Sequence, residues 1–198
     1  MNGEVMDYSE KIREYAEAEM QLLKDLDVSG VNELMNTLVE AYEKEGTIYV
    51  FGNGGSASTA SHMANDFNKG ISEYTEKKFR ICCLNDNMAT VLAIANDIGY
   101  EDVFEFQLRN KIKPEDLVIG ISGSGNSANV INALSYAKEQ GAKTIGWVGF
   151  DGGRVAEIAD FVFHVPVRNM QLVEDMHLIL NHLMMYVLMQ EWGIKTHC

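Results

Sequence analysis

The sequence predicts an α/β protein of three layers, with a five-stranded parallel sheet covered by helices on both faces and two helices ahead of it. Three observations predict this: five short apolar runs of strand length, helical patterns between them, and glycine- or serine-rich exits from two of the runs. At 198 residues the chain fits one such domain with a helical extension, and it needs no disulfide or metal staple to bury a core. Between Tyr8 and Tyr42 lie two helical stretches. In the second, Val31, Leu34, Met35, Leu38, Val39 and Tyr42 trace one face of a 3.6-residue period, so that face must pack on something. Asp27, Ser29 and Gly30 punctuate the join and offer a helix start. After Gly46 short apolar runs alternate with helices. Ile48 to Phe51 precedes a helix from about Ala57, and Phe79 to Leu84 precedes helical segments around Val91 and Phe104. Leu117 to Ile121 leads into a helix through Val130, Leu134 and Ala137. Thr144 to Val148 and Phe161 to Val165 complete the strands, Pro166 closes the last, and a final helix runs from about Gln171 to Glu191.

Charge and composition exclude several functions. With 29 acids against 16 bases the net charge is −13, a field that repels phosphate backbones, so no nucleic-acid partner is expected. The longest apolar run, Leu183 to Met189, has seven residues, against roughly 20 for a membrane-spanning helix, so no membrane role is expected either. The acidic, polar start MNGEVMDYSEK is unlike a secretory signal, and a cytoplasmic protein is expected. Cys82, Cys83 and Cys198 form neither a disulfide framework nor a CxxC metal motif and are expected to be buried or idle thiols. Any phosphorylated ligand must be held by backbone N–H groups and hydroxyls, because no Lys/Arg cluster is available.

Two strand exits share a chemistry that meets this demand. Ile48 to Phe51 leads into Gly52-Asn53-Gly54-Gly55-Ser56-Ala57-Ser58-Thr59, and Val118 to Ile121 into Ser122-Gly123-Ser124-Gly125-Asn126-Ser127-Ala128. In an open parallel sheet, ligands lie beyond the carboxyl ends of strands, where the next helix presents unpaired N–H groups and its positive dipole end. Glycines permit close backbone approach and serines add uncharged donors, a combination suited to a phosphate monoester. Ordinary βα turns rich in small residues are the competing reading. Both loops also satisfy G-x-G-x-x-A, but neither is followed by an acid at the tip of the next strand about 20 residues on, so no nucleotide cofactor is expected.

Acids and histidines on two helices add a second constellation. His62 and Asp66 share a face at i,i+4 just after the first loop. Glu174, His177 and His182 lie on the last helix, with Glu174 and His182 about 80° apart around its axis and roughly 12 Å along it, so they converge only by leaning together. Such a set suits a zinc-like ion or acid/base catalysis without one. Glu174-Asp175-Met176-His177 also matches the Glu-x-x-His element of di-iron bundles, but no second such element follows.

Taken together, GNGGSAS with the downstream SHMANDF, LNDN followed by ANDIGYEDVF, GISGSGNSANV, GFDGG and VEDMHLILNH resemble the phosphoheptose isomerase branch of the SIS sugar-isomerase family, in order over residues 8 to 192. The resemblance implies a flavodoxin-like five-stranded parallel sheet, residues 1–46 as an N-terminal helical arm packing on the domain and on an oligomer interface, and residues 47–198 as the isomerase domain. It implies a homotetramer with interfacial active sites, and interconversion of sedoheptulose 7-phosphate with a manno-configured aldoheptose 7-phosphate.

By position, the resemblance makes Asn53, Gly54, Gly55 and Ser56 the lining of the sugar site and gives the sugar hydroxyls to Asn96 and Asp97. Ser122, Ser124 and Ser127, with Gly123 between them, become the phosphate cradle. Asp66 stands where the family has its catalytic glutamate, Glu174 where it has a glutamine, and His182 on its catalytic histidine. Some members bind zinc through these positions, which implies one Zn2+ held by His62, Asp66, Glu174 and His182; His177 belongs to the motif without contacting substrate or metal. Three departures lie in or beside the pocket: an aspartate one methylene short, the charge of Glu174, and Gly123 where many members have threonine. Noncatalytic members that bind a replication initiator or sense sugar phosphates as regulators are the alternative, but a carboxylate and a histidine remain at both catalytic positions here.

Overall fold

The computed structural model describes residues 6–195. The first five residues of the polar start and the thiol of Cys198 lie outside the described residues. Two helices open the chain, α1 (Ser9–Lys24) and α2 (Val28–Glu43). The Asp27 carboxylate accepts the Gly30 N–H at 3.0 Å, so this residue is the helix start the sequence offered. Five strands follow, β1 (Ile48–Gly52), β2 (Ile81–Cys83), β3 (Leu117–Ser122), β4 (Lys143–Gly149) and β5 (Phe161–Val165), all parallel in the order β2-β1-β3-β4-β5.

Side-chain alternation along the strands creates the three layers. On β1, Ile48 and Val50 join one core with α2, with α3 (Gly55–Asn65) and with α8 (Met170–Glu191), while Tyr49 and Phe51 join the opposite core. That second core is built from α4 (Met88–Asp97), α5 (Glu105–Leu108), α6 (Ala128–Glu139) and α7 (Gly153–Ile158). Every residue of β1 and β3 is buried, as a strand covered on both faces requires.

Several elements differ from the sequence reading. β2 has three residues rather than six because it is an edge strand paired only to β1, and the Phe79 ring leaves the strand line to pack on Tyr42 with centroids 4.4 Å apart. α3 starts two residues early and passes into a π turn at Asp66–Ile71, a widening that begins at the shortened carboxylate itself. α7 was not expected. At six residues, after two glycines, it is too short for a periodicity to emerge. Among the described residues no helix is long and apolar enough to cross a membrane.

Strand order reverses between β1 and β3, since the chain leaves β1 for the edge and returns to β1's other side. Crevices at such reversals are where ligands enter open α/β sheets. Both glycine- and serine-rich loops emerge here, from strands paired as Gly52 to Ile121.

Candidate active site

The second loop forms a compact cradle. Ser122 donates its hydroxyl to Ser127 at 3.0 Å, and the Asn126 N–H donates to Ser124 Oγ at 3.2 Å. Backbone bonds fasten the loop to the end of β4 and to α7, from the Gly149 N–H to Gly123 O and from the Val155 N–H to Gly125 O, both 2.9 Å. Gly125 has φ +66°, and a Cβ there would lie 2.0 Å from the Gly152 carbonyl oxygen, so only glycine fits. A Cβ on Gly123 would stand 2.5 Å from Met170 Sδ, so a side chain at this position requires the methionine to shift.

Around this cradle lies a cavity of about 170 Å³ lined by Ser122, Gly123, Ser124 and Ser127, by Asn53 and Ser56 of the first loop, and by Met170 and Glu174 of α8. No lysine or arginine lines it. Gly54 takes φ +55° at the entry to α3, and a Cβ on Gly55 would meet both Glu174 carboxylate oxygens at 2.5 Å. The start of α3 thus faces a carboxylate of the protein itself, which its dipole favours. Only the second loop is left open to an anion. A larger cavity of about 410 Å³ lies between the α1–α2 corner and β5, is lined mainly by aliphatic side chains and includes no residue of either loop. It lacks the convergent polar donors that a phosphosugar requires.

Asn53 belongs to a network the sequence did not reveal. Its Nδ2 donates to Asn129 Oδ1 at 2.9 Å, and its Oδ1 accepts from Asn129 Nδ2 at 3.0 Å and from the Tyr100 hydroxyl at 2.8 Å. Asn129 is buried in the first turn of α6. The side chain of Asn85 holds the neighbouring Gly52, accepting its N–H and donating to its carbonyl.

Two turns further along α3 and α8, which lie side by side, a second group converges. His62 Nε2 is 3.1 Å and His182 Nε2 3.7 Å from Asp66 Oδ2, and the two ring nitrogens are 3.0 Å apart. Their donor atoms all lie within 4.8 Å of one another. Buried Asn181, another residue the sequence reading missed, donates to the same Asp66 oxygen at 2.7 Å. Two imidazoles and a carboxylate are a donor set that fits a divalent zinc-type ion.

Glu174 does not join this group, in contrast to the four-residue site expected. Eight residues of α8, about 12 Å, separate it from His182, and its carboxylate is drawn to the start of α3. Asn96 and Asp97 are likewise not brought to the cavity. They end α4 exposed, and Asn96 Nδ2 donates to Asp97 Oδ1 at 2.7 Å.

His177 is a core residue. It lies between Trp147 and Phe163 with ring centroids 6.0 Å away on each side, and burial pushes its pKa down to about 4. Cys83 is buried, and burial pushes its thiol up to about 12; Cys82 is exposed, and partial burial of its thiol raises its pKa.

Residues 8–149 match the SIS domain family. A phosphoheptose isomerase of Helicobacter pylori (strain P12) is 34% identical over 181 residues, spanning 91% of this chain and 90% of that protein. A probable phosphoheptose isomerase of Thermoplasma volcanium is 32% identical over 177 residues, spanning 89% and 90%. The structure of a phosphoheptose isomerase from Neisseria gonorrhoeae superposes with a TM-score of 0.84 at 28% identity, covering 91% of this chain and 98% of that one. With its five-stranded parallel sheet and its ligand loops at the strand-order reversal, the chain belongs to the SIS domain family, in the branch of the phosphoheptose isomerases.

Proposed function

We propose that the protein is a cytoplasmic aldose–ketose isomerase that interconverts sedoheptulose 7-phosphate and D-glycero-D-manno-heptose 7-phosphate through an enediol. The carrying observation is a cavity lined by Ser122, Ser124 and Ser127 and by no Lys or Arg, beside helices that bear a carboxylate and two histidines. The distance between these parts favours a long substrate. Ser56, which lines the cavity together with the cradle serines, and His62 are six residues apart on α3, about 9 Å, so a phosphate in the cradle and a carbonyl at the histidines lie at opposite ends of the sugar chain.

Moving a carbonyl between C1 and C2 requires a base that takes a proton from one carbon and returns it to the other. Asp66 is that base: Asn181 and His62 occupy its Oδ2, and Oδ1 is left for the substrate. His182 is the acid that assists ring opening and proton traffic. His62, Asp66 and His182 would hold one Zn2+, which when bound polarises the substrate oxygen that gains charge. Ser122, Ser124 and Ser127 bind the phosphate, and Asn53, Gly54, Gly55, Ser56 and Glu174 line the sugar. Asn96 and Asp97, exposed away from the cavity, reach sugar hydroxyls only if a neighbouring subunit completes the site. A homotetramer with interfacial active sites meets that need, with residues 1–46 as the arm that assembles it.

An activity screen across ketose phosphates of five to seven carbons tests this reading. Conversion of the heptulose phosphate is expected, with Asp66→Asn or His182→Ala abolishing turnover and leaving thermal stability nearly unchanged. A wild-type protein that binds phosphosugars without converting any of them would overturn it and indicate a regulator.

A further inference from the structure

We propose that Asn129 and Tyr100 are positioning residues that hold Asn53 so that one amide N–H faces the cavity and reads an acceptor oxygen of the sugar. The inference deepens the isomerase reading and rests on it. A carboxamide has two N–H donors and two acceptor lone pairs. In Asn53 both lone pairs are taken, by Asn129 Nδ2 and the Tyr100 hydroxyl, and one N–H is given to Asn129 Oδ1. One donor is left, on a side chain that lines the cavity.

Each partner has a reason to be rigid. Asn129 is 2% exposed in the first turn of α6, so the reciprocal amide pair ties the β1 loop to the helix that follows the phosphate cradle. Buried amides that lose a partner are costly, which disfavours rotation of Asn53 out of this arrangement. Tyr100 comes from the 3-10 turn after α4 and is 55% exposed as a residue, and its hydroxyl joins it to the network. An Asn53 fixed in this way offers a donor and no acceptor. It therefore favours a carbonyl or hydroxyl oxygen held as an acceptor over a group that must donate.

Steady-state kinetics on the full-length protein with sedoheptulose 7-phosphate, with inorganic phosphate as a competitive inhibitor, test the proposal. Asn129→Ala is expected to lower kcat/KM by about 10- to 100-fold, the scale of a misplaced contact group. Tyr100→Phe, which removes one oxygen from an exposed ring and leaves the core intact, lowers it several-fold. The inhibition constant for phosphate stays within about twofold in both, because the cradle serines lie outside the network.

In an Asn53→Ala background neither substitution costs more than about twofold, since residues acting through one group are not additive. Asn53→Asp keeps an acceptor for Tyr100 but has no N–H to offer, and it loses as much as Asn53→Ala. Three results would overturn the proposal: multiplicative losses in the double variants, phosphate affinity falling in step with kcat/KM, or full activity in Asn53→Asp. An active wild type with any of these leaves the isomerase reading standing, whereas an inactive wild type overturns both.

Discussion

His177 and His182, five residues apart on α8, meet opposite environments. His177 is 1% exposed, one of its ring nitrogens has no partner and the other contacts Val148 O at 3.4 Å, whereas the side chain of His182 is 53% exposed and close to Asp66. Burial lowers the His177 pKa from 6.5 to about 4, so the folded protein holds it neutral and the unfolded chain takes up its proton first. The sign follows: this contribution is fully present above pH 6.5 and is lost as pH falls through that value toward 4. Each pKa unit corresponds to about 1.4 kcal/mol, so the whole interval amounts to about 3 kcal/mol. Urea unfolding of wild type should therefore weaken by this order between pH 7 and pH 4, beyond the trend of the carboxylates. His177→Gln, which cannot titrate, should lose that part of the slope, and an unchanged slope in the variant would refute the assignment.

At the scale of elements, the cradle and the turn before α7 are packed backbone to backbone, and this makes a contrast between two glycines testable. Gly125 and Gly141 both have positive φ, +66° and +85°. A Cβ on Gly125 meets the Gly152 carbonyl oxygen at 2.0 Å, while one on Gly141 finds nothing closer than Pro114 at 3.8 Å. Gly141→Ala should cost only the left-handed penalty of about 1–2 kcal/mol. Gly125→Ala must also push the two turns apart and should cost roughly 3 kcal/mol or more, with phosphate binding lost as well. Equal costs in denaturant unfolding, or a Gly125→Ala protein that still binds phosphate, would contradict this packing.

The same scale explains what the sequence could disclose. The strands were legible because β1, β3, β4 and β5 are apolar runs that end at glycine, serine or proline, and the loops after β1 and β3 announced the ligand edge by composition. The π turn at Asp66 was not legible, because widening a helix by one residue leaves no periodicity to read. Nor were the partners of Asn53 and Asp66: Tyr100, Asn129 and Asn181 stand 47, 76 and 115 residues from the side chains they hold. Their pairing exists only once β1, β3 and α8 are assembled. Glu174 shows the converse, since its separation from His182 could be calculated from helix geometry but its attraction to the start of α3 could not.

The whole molecule leaves one helix incompletely covered. α1 buries none of its residues, and Ile12, Met20 and Leu23 are 66%, 52% and 41% exposed. Its tie to the domain includes a hydrogen bond from the Tyr15 hydroxyl to Asp175, next to Glu174 on α8. A helix of 16 residues gains most of its stability from packing an apolar face, and in the proposed homotetramer a second copy of the chain would cover this stripe. In such an assembly each copy would bring a net charge of −13, so copies would repel at long range and their contact would have to be apolar enough to outweigh that repulsion. Association should therefore strengthen as salt rises from 0.02 to about 0.3 M, because screening removes the repulsion and leaves apolar burial intact. An interface held mainly by ion pairs would weaken instead. Light scattering should show the assembly falling to smaller species in an Ile12→Glu, Leu23→Glu variant, with isomerase activity falling alongside if neighbouring subunits complete the site. A variant that keeps its mass would remove α1 from the interface, and one that dissociates with full activity would place the whole site within a single subunit.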